Sequence, residues 1–218
     1  MNQRSTAGRQ PSIEQAAGNS PSIPDTADVA IVGAGAAGLF AAVWAGRTAA
    51  VGSRVVAFDG ARKLGAKILV AGGGRCNVTH HAVSEQDFAG SSPPAIRKVL
   101  RRFPVEQVVQ FFAEAGVELK QEETGKLFPT TDRARTVLDA LIREAMAAGA
   151  ALVHPARVTA IARLSDSDQA GDPAEDAPAP RPPLFRLVTD AGDCTARRVI
   201  LCTGGKSLPK SGSDGFGY

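Results

Sequence analysis

Val29–Ala30–Ile31–Val32–Gly33–Ala34–Gly35–Ala36–Ala37–Gly38 is a short apolar, β-branched run that breaks into glycines spaced G-x-G-x-x-G. The run reads as a buried parallel strand, and Leu39–Phe40–Ala41–Ala42–Val43–Trp44–Ala45 after it reads as the first turns of a helix packed on the sheet. Between them lies a phosphate site. Gly33 allows the tight turn off the strand, Gly35 lets backbone approach a pyrophosphate with no Cβ in the way, and Gly38 lets helix and strand pack closely. The helix N-terminus at Ala36 and Ala37 supplies free N–H groups and a partial positive charge to the anion. Alanine-rich and glycine-rich chains produce such spacing by chance, so context decides. Arg54–Val55–Val56–Ala57–Phe58–Asp59 is a second strand ending in a carboxylate, about 20 residues past the last glycine, where an acceptor for ribose hydroxyls belongs. The unit predicts binding of an adenine dinucleotide. A plain surface aspartate in the turn Asp59–Gly60 is the competing reading.

Val29 to Gly46 runs 18 residues without a charge, long enough to raise the question of a membrane span. Its four glycines fall where a strand-turn-helix needs them, and it is too rich in alanine to span lipid comfortably. No membrane segment is expected. Residues 1–27 are polar, carry Pro11, Gly18, Pro21 and Pro24, and lack the apolar core of a signal peptide, so a disordered tail is expected there. Cys76, Cys194 and Cys202 follow no pattern, which points to a reducing cytoplasm and no disulfide framework.

With 44% hydrophobic residues the chain has enough apolar matter for a sheet covered by helices, and its net charge of +3 is too small to imply a nucleic-acid partner. Arg97, Lys98, Arg101 and Arg102 form a local basic run, read as the solvated face of an amphipathic helix whose other face is Ile96, Val99, Leu100 and Phe103. A helix from Pro104 to Gly116 and another from about Asp132 to Ala148 follow, the second with Val137, Leu138, Leu141, Ile142 and Ala145 on one face. Ala151–Val153 reads as a parallel strand. Arg157–Leu164 and Leu184–Thr189 read as an antiparallel pair, Cys194–Arg197 as a third strand, and Arg198–Thr203 as a return to the main sheet. The Asp-, Ala- and Pro-rich stretch 165–183 reads as a flexible insertion, and no internal repeat is visible.

The antiparallel excursion separates two enzyme classes. A nicotinamide dehydrogenase domain continues with helical crossovers. The flavoprotein variant of the fold inserts a small β-meander and comes back in a strand ending in glycine, as Val199–Ile200–Leu201–Cys202–Thr203–Gly204–Gly205 does. The oddest segment is Lys63–Leu64–Gly65–Ala66–Lys67–Ile68–Leu69–Val70–Ala71–Gly72–Gly73–Gly74–Arg75–Cys76–Asn77–Val78–Thr79–His80. Three consecutive glycines are entropically costly unless something must come near the backbone. Arg75 offers a positive fork for phosphate, and Asn77 and Thr79 offer neutral hydrogen bonds to a flavin edge or ribityl chain.

These segments, with Gly125–Lys126–Leu127–Phe128–Pro129 and Thr203–Gly204–Gly205–Lys206 through Gly217–Tyr218, resemble the BaiN/RdsA-type flavoproteins, FAD-dependent oxidoreductases. The resemblance runs from about Asp28 to Tyr218, omitting Ser165 to Pro183. It implies an α/β fold: a Rossmann-like FAD-binding domain over 28–218 with a central parallel sheet and a small antiparallel β-meander, its substrate-domain half lying beyond this sequence. By position, Gly33, Gly35, Ala36, Ala37 and Gly38 hold the pyrophosphate and Asp59 the adenosine ribose. Lys67, Gly73, Gly74, Arg75, Asn77, Val158, Thr203, Gly204 and Gly205 complete the cofactor-binding set. Asp59 stands where the family commonly has Glu.

The implied partners are a small-molecule substrate and, as redox partner, NAD(P)H or oxygen, with catalytic residues unassigned. A nicotinamide-binding dehydrogenase domain and a non-catalytic flavin-binding module remain alternatives. Cys76 is expected to be core filling. Zinc on Cys76, His80 and His81 would need a fourth ligand and regular spacing, so no metal is expected, and His154 beside Pro155 is expected to be structural.

Overall fold

The computed structural model describes residues 22–164 and 184–205. The chain enters through strand β1 (Thr26–Val32), turns into helix α1 (Ala36–Thr48) and returns as β2 (Val55–Phe58). Residues 59–149 then hold α2 (Ala66–Val70), β3 (Thr79–His80), α3 (Pro93–Leu100), α4 (Val105–Glu114), β4 (Leu119–Gln121), β5 (Lys126–Pro129) and α5 (Ala134–Ala147). β6 (Ala150–Val153), β7 (Val158–Arg163), β8 (Phe185–Thr189) and β9 (Gly192–Leu201) complete the described chain. Six strands form one sheet in the order β6-β2-β1-β9-β8-β7, and β3-β5-β4 form a second. β6, β2, β1 and β9 run parallel; β8 and β7 continue the sheet antiparallel.

The continuous apolar runs of β1 and β2 follow from burial on both faces. Ile31, Val55 and Ala57 meet Leu39, Ala42 and Val43 of α1 and Val137, Leu138 and Leu141 of α5 in one core. Ala30, Val32, Val56 and Phe58 project the other way and pack with Leu187, Cys194 and Ala196, so the β8–β9 side of the excursion supplies the cover for the second face. Phe40 and Trp44 of α1 stack edge-on with Phe103, at 5.1 and 5.7 Å between centroids, which fixes the segment between α3 and α4 against α1.

Two expectations are corrected. Cys194–Arg197 and Arg198–Thr203 are not separate strands: β9 is continuous from Gly192 to Leu201, pairing with β8 up to Ala196 and with β1 from Thr195 onward. It changes partners at Thr195 and Ala196 without a break in the strand, so no turn divides it. Val99 is not on a packed face; it is 69% exposed, and α3 buries no residue fully, resting on half-buried Ile96 and Leu100. The basic side chains of that helix are exposed as expected, with Arg97 paired to Glu85. Of the tail expected over residues 1–27, Thr26 and Ala27 already belong to β1 and Ala27 is buried, while residues 1–21, like the insertion 165–183 and the segment Lys206–Tyr218, lie outside the described residues. No helix among the described residues is long and apolar enough to cross a membrane.

Candidate cofactor site

The glycine turn lies at the carboxyl ends of β1, β2 and β9, where ligands of open α/β sheets bind. Each glycine meets a different constraint. Gly33 has φ +95°, and a Cβ there would fall 2.5 Å from the Cys202 carbonyl oxygen and 3.2 Å from the Thr203 amide. At Gly38 a Cβ would fall 1.7 Å from the Gly33 carbonyl oxygen, so the first turn of α1 seats directly on the end of β1. Gly35 has nothing within 4 Å of its Cβ position. Two glycines are therefore required by the protein itself, and the third opens onto free space.

α1 starts there without help from side chains. Gly35 is its N-cap, no side chain caps it, and its first turn has no acidic residue. The opening amides, Ala36 and Ala37 among them, are left for a ligand anion. Asp59, one residue beyond β2, turns its carboxylate onto this turn: Oδ2 accepts from the Ala34 amide at 2.7 Å and Oδ1 from the Ala61 amide at 2.8 Å. Each oxygen keeps a further lone pair for a ribose hydroxyl. The Asp59 amide donates to Val153 at 3.0 Å and its carbonyl accepts from Ala156 at 2.7 Å, so the carboxyl end of β6 and the approach to Val158 are tied to the same point. Next to Val153, Nδ1 of His154 is buried with no hydrogen-bond partner among the described residues. An uncapped helix behind the open glycine and a carboxylate with lone pairs to spare fit the pyrophosphate and the ribose of an adenosine diphosphate group.

Gly33–Gly38, Asp59 and Thr203–Gly205 are thus gathered at the carboxyl ends of the parallel strands, and Val158 follows two residues after Ala156, whose amide is held by the Asp59 carbonyl. The second group is built differently. Gly72, Gly73 and Gly74 all have positive φ, +57°, +69° and +84°, and Cys76 follows at +64°, a run of left-handed backbone that explains the triple glycine. The inner side of this turn is filled, since a Cβ on Gly72 would lie 2.9 Å from Phe128 Cε1, whereas Gly73 has nothing within 4 Å. Cys76 and Ile68 share a core with Ala34 and Leu39, which links the two groups. Asn77 is exposed, and Lys67 is exposed in the first turn of α2.

Arg75 does not reach out as a free fork. Its guanidinium stacks over Phe128 with Cζ 4.1 Å from the ring centroid, Nη1 donates to Glu122 Oε1, and Asp132 Oδ1 lies 3.8 Å away. Lys120 pairs with the other oxygen of Asp132. Glu122, Phe128 and Asp132 were not read as partners of Arg75 in the sequence; Phe128 appeared only within the Gly125–Pro129 stretch quoted for the resemblance, and Asp132 only as a helix start.

The thiols are quiet. Burial pushes Cys76, Cys194 and Cys202 above the ordinary thiol range. His80 sets its ring nitrogens 2.8 Å from the carbonyl oxygens of Ala82 and Thr124, and no group of metal-ligating side chains forms among the described residues.

Comparison with known proteins agrees with this architecture. The model of the HI0933-like protein Rossmann domain matches residues 27–218. The chain is 30% identical over 188 residues to the ribosomal RNA dihydrouridine synthase of Haemophilus influenzae, covering 86% of this chain and 43% of that protein. It is 32% identical over 190 residues to the 3-dehydro-bile acid delta(4,6)-reductase of Clostridium scindens, covering 87% and 42%. The chain therefore spans less than half the length of these curated relatives. Among solved structures, Thermovibrio ammonificans THI4 superposes with a TM-score of 0.54 at 17% identity, over 85% of this chain and 61% of that one. L-proline dehydrogenase from P. horikoshii gives 0.51 at 12% identity, over 84% and 54%. These two likenesses establish the fold.

Proposed function

Because the chain belongs to the HI0933-like Rossmann-domain family, we propose that it is the cofactor-binding part of an FAD-dependent oxidoreductase, with residues 28–218 forming the FAD domain. The observation that carries this reading is the division of labour in the glycine turn: Gly33 and Gly38 are closed by the protein's own backbone, whereas Gly35 faces open space in front of an uncapped helix. That arrangement leaves backbone amides and a helix dipole for a pyrophosphate.

The chain's residues divide the cofactor between them. Ala36, Ala37 and Gly38 present amides to the phosphates, and Asp59 and His154 serve the adenosine. Thr203, Gly204 and Gly205, with Gly73, Gly74 and Asn77, bring bare backbone and one neutral amide side chain to the flavin end, with Lys67 and Val158 at the margins. When bound, the isoalloxazine supplies the electron-transfer chemistry; the protein binds it, orients it and shields it from water. A small-molecule substrate and either NAD(P)H or oxygen as redox partner complete the proposal. Support comes also from a relative whose own name is that of a reductase.

Isothermal titration of the purified chain with FAD, FMN and NAD+ tests the reading. FAD should bind tightest, with FMN weaker for lack of the adenosine and NAD+ weakest. Tighter binding of NAD+ than of FAD would overturn it in favour of a nicotinamide dehydrogenase domain.

A further inference from the structure

We infer that Arg75 is a positioning residue which holds the Gly72–Gly74 turn in place for the cofactor, and is not the turn's phosphate ligand; the inference rests on the proposed FAD reading. Residue type and place suggest the opposite, since an arginine after three glycines is well suited to a phosphate. Geometry decides. The guanidinium lies flat on Phe128, which is only 2% exposed, and faces Glu122 and Asp132. With Lys120 on Asp132 the group holds two cations and two carboxylates, so it offers an incoming anion no net charge.

What Arg75 fixes is the far side of the turn. Phe128 carries the guanidinium and also fills the position where Gly72 would bear a side chain, so ring, arginine and glycine turn form one stack. The chain is held again just beyond, where the Val78 amide donates to Leu127 at 2.9 Å and Thr79 enters the second sheet opposite Leu127. Between these anchors Gly73 faces open space and Asn77 is exposed. Side chains of the ion group are about one third or more exposed, so its contribution is orientation more than stability. Left-handed backbone at Gly72, Gly73, Gly74 and Cys76 is a costly conformation to keep in one state, which is what such an anchor is for.

The two roles give opposite signs for one substitution. If Arg75 served a phosphate, Glu122→Gln would release it and tighten FAD binding. If Arg75 positions the turn, Glu122→Gln weakens FAD as Arg75→Gln does, each by about tenfold, the scale of a lost charge-assisted contact. The double variant should then be no worse than either single one. The circular dichroism of the bound flavin should also change alike in both single variants, which a loss of stability alone would not produce.

A cofactor-free measurement runs beside this. Cys76 follows Arg75 and is 7% exposed, so its alkylation, followed peptide by peptide, reports the order of the turn. Both variants should speed it by about tenfold or more, as expected when local opening becomes easier. Tighter FAD binding by Glu122→Gln, or Cys76 alkylation unchanged in both variants, would overturn the inference. Absence of FAD binding by the unsubstituted chain would instead sink the FAD reading, with the alkylation result still deciding whether Arg75 anchors the turn.

Discussion

The carboxylate of Asp59 accepts the backbone amide of Ala34 at 2.7 Å, joining the end of the second strand to the middle of the glycine turn. Ala34 is fully buried, so its amide has no water to turn to. Asp59→Ala therefore strands a buried donor at a cost of about 1–3 kcal/mol. The apo chain should lose several degrees in Tm, because about 1 kcal/mol moves a domain of this size by about 2–4 °C. FMN affinity should fall as well as FAD affinity, since the turn itself is disturbed, with the larger loss for FAD. An unchanged apo Tm in thermal denaturation would reduce Asp59 to a ribose ligand alone.

The neighbouring glycines separate folding from binding. Gly38→Ala places a methyl group 1.7 Å from the Gly33 carbonyl oxygen, so α1 must lift off β1; the cost should reach or exceed the usual 1–3 kcal/mol of overpacking. Gly35→Val meets nothing, at an extended backbone that any residue adopts. It should keep the far-ultraviolet spectrum and Tm of the unsubstituted chain and lose FAD. Urea unfolding and flavin stoichiometry, measured on both variants, check the contrast; equal Tm losses would break it.

His154 offers a test at the adenosine end. Its Nδ1 is buried with no hydrogen-bond partner among the described residues, and such an atom usually has a ligand or water to satisfy it. Replacement by phenylalanine keeps the ring and removes the polar atom. His154→Phe should leave apo stability unchanged or slightly raised, weaken FAD by about tenfold, on the scale of one hydrogen bond, and leave FMN unaffected. Equal weakening of both flavins in titration calorimetry would place His154 outside the adenosine site.

The legible parts of this chain were those governed by local rules. β1, α1 and β2 were readable because burial of both sheet faces leaves an unbroken apolar run, and because Gly38 answers to the Gly33 carbonyl in the same turn. β9 was misdivided since its change of partner near Ala196 leaves no turn residue to mark it. The second sheet was missed because strands of two to four residues, such as Thr79–His80 and Lys126–Pro129, are too short to show a period. The partners of Arg75 were invisible for another reason: Glu122 lies 47 residues away, and a long-range ion pair writes no pattern into the sequence.

The thiols give a pH dependence whose sign follows from burial. Cys76, Cys194 and Cys202 all stay protonated in the folded chain to higher pH than in the unfolded one. The unfolded state then binds fewer protons, so stability is full below the ordinary thiol pKa and falls as pH rises through the folded values. Urea midpoints should hold up to the ordinary thiol pKa and decline above it, and Cys76→Ala should make the decline shallower. Parallel profiles for the two proteins would show that Cys76 does not contribute.

The last prediction concerns the open side of β9. Among the described residues, Arg198–Leu201 pair with β1 alone, and on this stretch Ile200 is 37% and Leu201 60% exposed. An unpaired strand edge with apolar side chains is a template for another strand. The isolated chain should therefore self-associate, and the association should run through this edge. Leu201→Lys removes the apolar group and adds a charge that edge strands commonly use for protection. Since burying a leucine is worth about 1.5–3 kcal/mol, the substitution should weaken association by roughly tenfold to a hundredfold. Monomer Tm should stay the same, because Leu201 is more than half exposed already. Sedimentation velocity over a range of concentrations decides it: a chain that stays monomeric throughout, or a variant that associates as strongly as the original, would locate the sticky surface elsewhere or show that there is none.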